Sequence, residues 1–165
     1  MPQQDRYVDA WRGLVKLLDD KVVRAIGVSN FKPSHLDRVL AATGVAPDVN
    51  QIELDPTHTR TESRAYHAEH GIVTESWSPL GRGGALLSNQ VIAGIAERVG
   101  KTPAQVVLRW HIELGLVAIP KSADPGRQRE NIDVFDFTLG DEDVAAISSL
   151  DQGDGTVTDS DSFGH

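Results

Sequence analysis

The chain has 165 residues, a length that suits one domain and falls short of two. Its formal net charge of -8 opposes phosphate backbones and so bulk nucleic-acid binding; any site for an anion must be built locally. With no cysteine there is no disulfide, thiol nucleophile or cysteine-ligated metal. No run of about 18 apolar residues is available to span a membrane, and the first six residues carry no apolar signal core, so a cytoplasmic protein is the default expectation.

Residues 5–19 place Tyr7, Trp11, Leu14, Val15 and Leu18 at steps of three and four, which predicts a helix with one apolar face. A nearly continuous β-branched run over 22–28 predicts a strand buried on both sides. A helix over 33–42 follows, with Pro33 in its first turn and Gly44 just past its end. A second strand is expected over 48–54, a weaker helix over 61–69 ended by Gly71, and a third strand over 72–78. Helices over 89–99 and 103–113, the second opened by Thr102-Pro103, precede a fourth strand at 116–120. A short helix begins near Asp124-Pro125. The last helix, 141–150, starts on an acidic turn, as the helix dipole favours. From Asp151 onward the Gly, Asp, Ser and Thr-rich tail reads as loosely held. The first three strands recur at roughly 25-residue steps with a helix in each gap, the spacing of βα units. An open doubly wound sheet and part of a (β/α)8 barrel both fit; a full barrel needs about 250 residues, so four strands amount to half of one.

In both architectures ligands bind at the carboxyl ends of the strands. The first end offers Ser29 and Asn30, a hydroxyl and an amide that can satisfy both sides of a carboxamide, or else cap the next helix. At the second, Gln51 and Glu53 point the same way, either into a barrel, where each needs a partner, or toward solvent from an edge strand. At the third, Glu75 and Trp77 continue the inward alternation. Trp77 offers a flat stacking surface or is a core residue, and the stretch from Gly81 to Gly84 lets backbone N–H groups approach a phosphate or is an ordinary flexible loop. At the fourth, Lys121, Ser122, the opening of the following helix with Asp124 as its N-cap, and Arg127 can converge on one anion, or form a solvated basic turn. His67 and His70, three apart on a helix, read as an exposed face rather than as metal ligands, because no third ligand accompanies them. The acidic tail lacks the spacing of a calcium loop, and no metal site is assigned.

Taken together these segments resemble the aldo-keto reductases, in particular the bacterial NADPH-dependent aldehyde and diketogulonate reductases. The resemblance rests on the run from Val23 to Phe31, on Asn50-Gln51-Ile52-Glu53, on Trp77 to Gly81, and on Ile119 to Ser122 followed by Arg127, Glu130 and Asn131. Thr102 to Gln105, Leu108-Arg109-Trp110 and Val134 to Phe137 add to it. It implies a (β/α)8 TIM barrel that binds NADPH across its C-terminal face, with this chain as its second half, strands 5–8: residues 1–150 a partial barrel and 151–165 a C-terminal tail. Carried over position by position, it implies that Ser29, Asn30 and Gln51 hold the nicotinamide carboxamide and that Trp77 stacks on the nicotinamide ring. Ser78, Leu80, Gly81 and Gly83 would line the pyrophosphate. Lys121, Ser122 and Arg127 would grip the 2′-phosphate, and Glu130 and Asn131 would meet the adenine.

The family reduces aldehydes and ketones by hydride transfer, with a tyrosine donating the proton. The resemblance places that tyrosine, with its aspartate, lysine and histidine, on the family's first four strands, before the point where this chain begins. The only tyrosines, Tyr7 and Tyr66, fall on predicted helices, and no catalytic residue is assigned to either. The segment from Leu54 to His58 departs from the family's usual Cys or Leu followed by His-Pro. Three readings follow: a truncated part of an NADPH-dependent oxidoreductase acting on a small carbonyl compound, a non-catalytic NADP(H)-binding half-barrel, or a fragment that only assembles with another chain. In each, the chain alone is expected to be inactive. Its unpaired strand edges are expected to make it self-associate.

Overall fold

In the computed structural model, residues 6–82, 84–157 and 159–161 are described. They fall into two compact units. One comprises 6–52, 61–74 and 159–161; the other comprises 53–60, 75–82 and 84–157. The strands β1 (Gly27–Ser29), β2 (Val49–Glu53), β3 (Val73–Trp77) and β4 (Val117–Ile119) form one sheet in the order β1-β2-β3-β4. The pairing is parallel between β1 and β2 and between β3 and β4.

The resemblance implies strands 5–8 of a (β/α)8 barrel; the four parallel strands β1 to β4 instead fit the first half of such a barrel. The strand expected over 22–28 is reduced to Gly27–Ser29, and Val22 is exposed. After α1 (Arg6–Asp19), Lys21 takes a positive φ of 60° and the N–H groups of Val22 and Val23 turn back to the Leu17 carbonyl, so these residues close the helix and do not join the sheet.

The first unit packs α1 and α2 (Pro33–Thr43) around Val8, Trp11, Ile26 and Val39. Trp11 Nε1 donates to Thr43 Oγ1 at 3.1 Å and to the Val45 carbonyl at 3.3 Å, which satisfies the one polar atom of a buried indole. Asp48 organises the strand starts: its carboxylate accepts from the Ile26 N–H at 2.8 Å, its own N–H donates to the Ile26 carbonyl, and its carbonyl accepts from Val73. Gly27 is required by this close approach, since a Cβ there would lie 2.8 Å from the Val49 carbonyl oxygen. The unit also contains α3 (Thr61–Glu69).

The second unit is built on α4 (Gln90–Val99) and α5 (Pro103–Glu113), whose buried faces include Ile92, Ile95, Val106, Val107 and Trp110. A capping box opens α5: Gln105 N donates to Thr102 Oγ1, and the Gln105 side chain returns to the Thr102 N–H. Trp110 Nε1 reaches Ser148 Oγ at 3.0 Å on α7 (Asp141–Ser148), and α6 (Pro125–Ile132) follows β4. The chain after Asp151 is not loose where it is described. Asp151 accepts from the Thr59 N–H, Gln152 N donates to the Thr57 carbonyl, and Arg60 faces Asp154 at 3.5 Å. Among the described residues no helix is long and apolar enough to cross a membrane.

Candidate functional site

In the first unit the end of β1 meets β2 with Ser29 in register opposite Gln51. Ser29 Oγ donates to the Gln51 carbonyl at 3.0 Å, and the Asn30 N–H donates to the same oxygen at 2.8 Å. Three of the expected site residues are therefore brought together. Asn30 has φ 58°, the left-handed region, which asparagine tolerates better than most side chains. Neither Ser29 nor Asn30 caps α2; that position belongs to Lys32.

Beneath this turn lies a buried polar chain that the sequence reading did not anticipate. The Asn50 amide clamps the backbone of Phe31, accepting from its N–H at 3.3 Å and donating to its carbonyl at 2.8 Å. Asn50 Nδ2 is also 3.0 Å from His67 Nε2, and His67 Nδ1 is 2.8 Å from Thr74 Oγ1. Asn50 and His67 are fully buried. The exposed face expected for His67 is therefore corrected: its ring sits in the interior with partners on both nitrogens. His70 Nδ1 meets the Tyr66 carbonyl. The Phe31 ring packs edge-on against Tyr7 at 5.3 Å and against His35 at 5.7 Å. Lys32 reaches Asp159 and Asp161, and His35 Nε2 is 2.8 Å from Asp161.

In the second unit Trp77 ends β3, and its ring is covered by the Arg82 guanidinium, 4.8 Å from the centroid. Arg82 Nε pairs with Glu53 Oε1 at 2.9 Å, so the carboxylate at the end of β2 is buried and has a partner. Ser78 takes φ 52° and Gly81 φ 73°, and the Gly81 N–H closes the turn on the Ser78 carbonyl at 2.9 Å. A Cβ at Gly81 would come within 3.3 Å of Leu86. Leu80 is half-buried, and Gly83 lies outside the described residues. The loop after β2 is closed by Asp55, which accepts from the Thr57 N–H and hydroxyl at 2.7 and 2.6 Å and faces His58 at 3.4 Å.

At the end of β4, Lys121 and Arg127 are exposed and Ser122 is half-exposed. Asp124 is the N-cap of α6, accepting from the Arg127 N–H at 2.8 Å, with Pro125 in the first turn. Ser122 is tied in by the Asp124 N–H at 3.1 Å and by Gln128 Nε2, which donates to its carbonyl at 2.8 Å. Among the described residues neither Lys121 nor Arg127 has a carboxylate partner, so both cations point to solvent beside the helix start. Glu130 and Asn131 are half-exposed. A cleft of about 390 Å³ lies under α6, with Ala118, Pro120, Ser122, Gln128, Asn131 and Phe135 among its lining.

Neither tyrosine stands at a strand end. The Tyr7 hydroxyl on α1 accepts from Arg38 at 3.4 Å. Tyr66 on α3 donates to Asp37 at 2.6 Å; burial, and then the Asp37 carboxylate, push its phenol up to about 12.

Residues 1–152 match the model of the aldo/keto reductase family. The chain is 51% identical over 153 residues to an aldo-keto reductase of Mycolicibacterium smegmatis, covering 93% of this chain and 55% of that protein. It is 47% identical over 165 residues to the methylglyoxal reductase DkgA of Escherichia coli K12, covering 99% and 60% respectively. A solved Gox0644 variant in complex with NADPH superposes with a TM-score of 0.88 at 51% identity, over 92% of this chain and 56% of that one. The chain thus spans little more than half the length of these relatives. That share, with the four parallel strands of the sheet, sets aside the assignment to a C-terminal half.

Proposed function

The chain belongs to the aldo/keto reductase family, and from that premise we propose that it binds NADPH at the carboxyl ends of its strands, as part of an oxidoreductase that reduces small aldehydes and ketones. The observation that carries the proposal is the Ser29, Asn30 and Gln51 cluster, where a shared carbonyl and a left-handed Asn30 gather a hydroxyl and two amides at one strand end. That donor set suits a carboxamide, which needs a donor for its oxygen and an acceptor for its nitrogen. When bound, NADPH supplies the hydride.

The protein's own residues bind and orient. Ser29, Asn30 and Gln51 would hold the carboxamide, and Trp77 would offer its ring face for stacking. Ser78, Leu80, Gly81 and Gly83 would run along the pyrophosphate. Lys121, Ser122 and Arg127, with unpaired cations beside a helix start, would take the 2′-phosphate. Glu130 and Asn131 would meet the adenine, and the cleft under α6 leaves space for a ring there. Methylglyoxal, named for the Escherichia coli relative, exemplifies the substrate class.

A second reading, binding without reduction by the chain alone, is favoured by the two tyrosines. Both sit on helices and not at a strand end, and the Tyr66 proton is given to Asp37, so neither stands where the resemblance needs a tyrosine. The test of binding is a tryptophan-fluorescence titration. Trp11 and Trp110 are fully buried, so Trp77 is the tryptophan that a bound cofactor can touch. Saturable quenching that favours NADPH over NADH and disappears in Trp77→Ala is the expected result; its absence would refute the proposal.

A further inference from the structure

We propose that Asn50 and His67 are positioning residues for the nicotinamide end of the site, acting through Phe31 and Asn30. The inference rests on the cofactor reading above but is carried by separate atoms. An amide nitrogen has two hydrogens. One of those on Asn50 Nδ2 goes to the Phe31 carbonyl at 2.8 Å, which leaves the other for His67 Nε2 at 3.0 Å. His67 Nε2 therefore accepts, and the ring proton is on Nδ1, donated to Thr74 Oγ1 at 2.8 Å. The opposite tautomer would set two N–H groups against each other in a fully buried place.

Direction along this chain matters. Thr74 and His67 fix which way the Asn50 amide faces, and the amide in that orientation grips both the N–H and the C=O of Phe31. Phe31 is the residue after Asn30, whose φ of 58° is held on its other side by the Gln51 carbonyl. A left-handed non-glycine residue persists where its surroundings over-determine it. Tyr7 and His35 supply ring contacts to Phe31, and the Asn50 amide addresses its backbone. Loss of the His67 acceptor leaves the Asn50 amide held by Phe31 alone, loosens that clamp and lets Asn30 relax, so that the carboxamide loses its preformed partner while the contacts at the end of β4 are unaffected.

The experiment compares two ligands on the 165-residue chain: NADP⁺, and adenosine 2′,5′-bisphosphate, which has no nicotinamide. His67→Leu is expected to weaken NADP⁺ by about five- to tenfold, the loss of one buried hydrogen bond, and to leave adenosine 2′,5′-bisphosphate unchanged. His67→Gln, which can accept from Asn50 and donate to Thr74, should restore NADP⁺ binding. Equal weakening of both ligands, or of neither, overturns the proposal. Nitrogen-15 NMR of the unmodified chain tests it without any variant: His67 must be protonated on Nδ1 and bare on Nε2, and the reverse tautomer overturns it. If the unmodified chain binds neither ligand, the cofactor reading itself fails; if it binds both and the tautomer is reversed, only the positioning proposal fails.

Discussion

The Arg82 guanidinium covers the ring of Trp77 at 4.8 Å while its Nε holds Glu53 at 2.9 Å. One face of the ring proposed to stack on the nicotinamide is thus occupied by a cation that a buried carboxylate keeps in place. A cation over an indole at an exposed site contributes roughly 0.5–1 kcal/mol, so the cover is weak enough to be displaced. Arg82→Ala should expose Trp77 and increase acrylamide quenching, because Trp11 and Trp110 contribute little to it. It should also lower the melting temperature slightly, since Glu53 loses its counter-ion. Unchanged quenching would mean that Arg82 does not shield the ring.

Cofactor choice should rest on the end of β4. Only NADPH carries a 2′-phosphate, and a charge-assisted hydrogen bond contributes about 1.5–3 kcal/mol. Arg127→Ala should therefore weaken NADPH roughly tenfold or more and leave NADH nearly unaffected, as read by parallel titrations. Equal loss for both cofactors would remove Arg127 from the phosphate site.

Acid sensitivity should involve Glu113. The Arg109 guanidinium at 2.8 Å, and then the Leu139 N–H at 3.0 Å, hold its carboxyl below the usual carboxylate range. A folded-state pKa below the unfolded one gives stability that is complete above the unfolded value, about 4.3, and is lost as the pH falls through the folded value. Glu113→Gln should lower the melting temperature at neutral pH and shrink the further drop seen below about pH 4. An acid limb as steep as that of the unmodified chain would contradict this.

Self-association is expected from the fourth strand and its surroundings. Val117 and Ile119 are each 44% exposed, and Ile132 and Phe135 each 70%. Exposed apolar side chains on a strand at the end of the sheet favour pairing with another chain. Light scattering should give a mass above the 17.9 kDa of one chain, reduced toward it in a Val117→Thr, Ile119→Thr variant. A monodisperse monomer at all concentrations would rule this out.

Much of this arrangement was legible in the residues. Helix periodicity, the Thr102 and Asp124 caps and the β-branched runs located the elements, because each is a local signal. The strand-end residues stood out because a polar group on an otherwise apolar strand needs a reason. What escaped was long-range. Val22 and Val23 have strand-forming side chains, but the left-handed Lys21 spends their N–H groups on closing α1. His67 looked like a surface residue because its partners, Asn50 and Thr74, are 17 and 7 positions away. Asn50 gives no signal of its own beside Gln51, although the alternation along β2 buries Asn50 and leaves Gln51 half-exposed. The placement of the strands as 5–8 came from the resemblance and not from any residue pattern, and the match to the relatives, with the four-strand sheet, sets it aside.

We propose that this chain, taken alone, binds NADPH without oxidising it. Protonation of the nascent alkoxide by a positioned acid contributes about 10²–10⁴-fold in rate, and neither Tyr7 nor Tyr66 is placed to provide it. The most direct measurement follows absorbance and nucleotide fluorescence together while NADPH is mixed with the chain and a panel of small aldehydes and dicarbonyls. The account predicts a saturable fluorescence change with no loss of absorbance beyond a protein-free control. Steady carbonyl-dependent oxidation of NADPH that disappears in Trp77→Ala would contradict it.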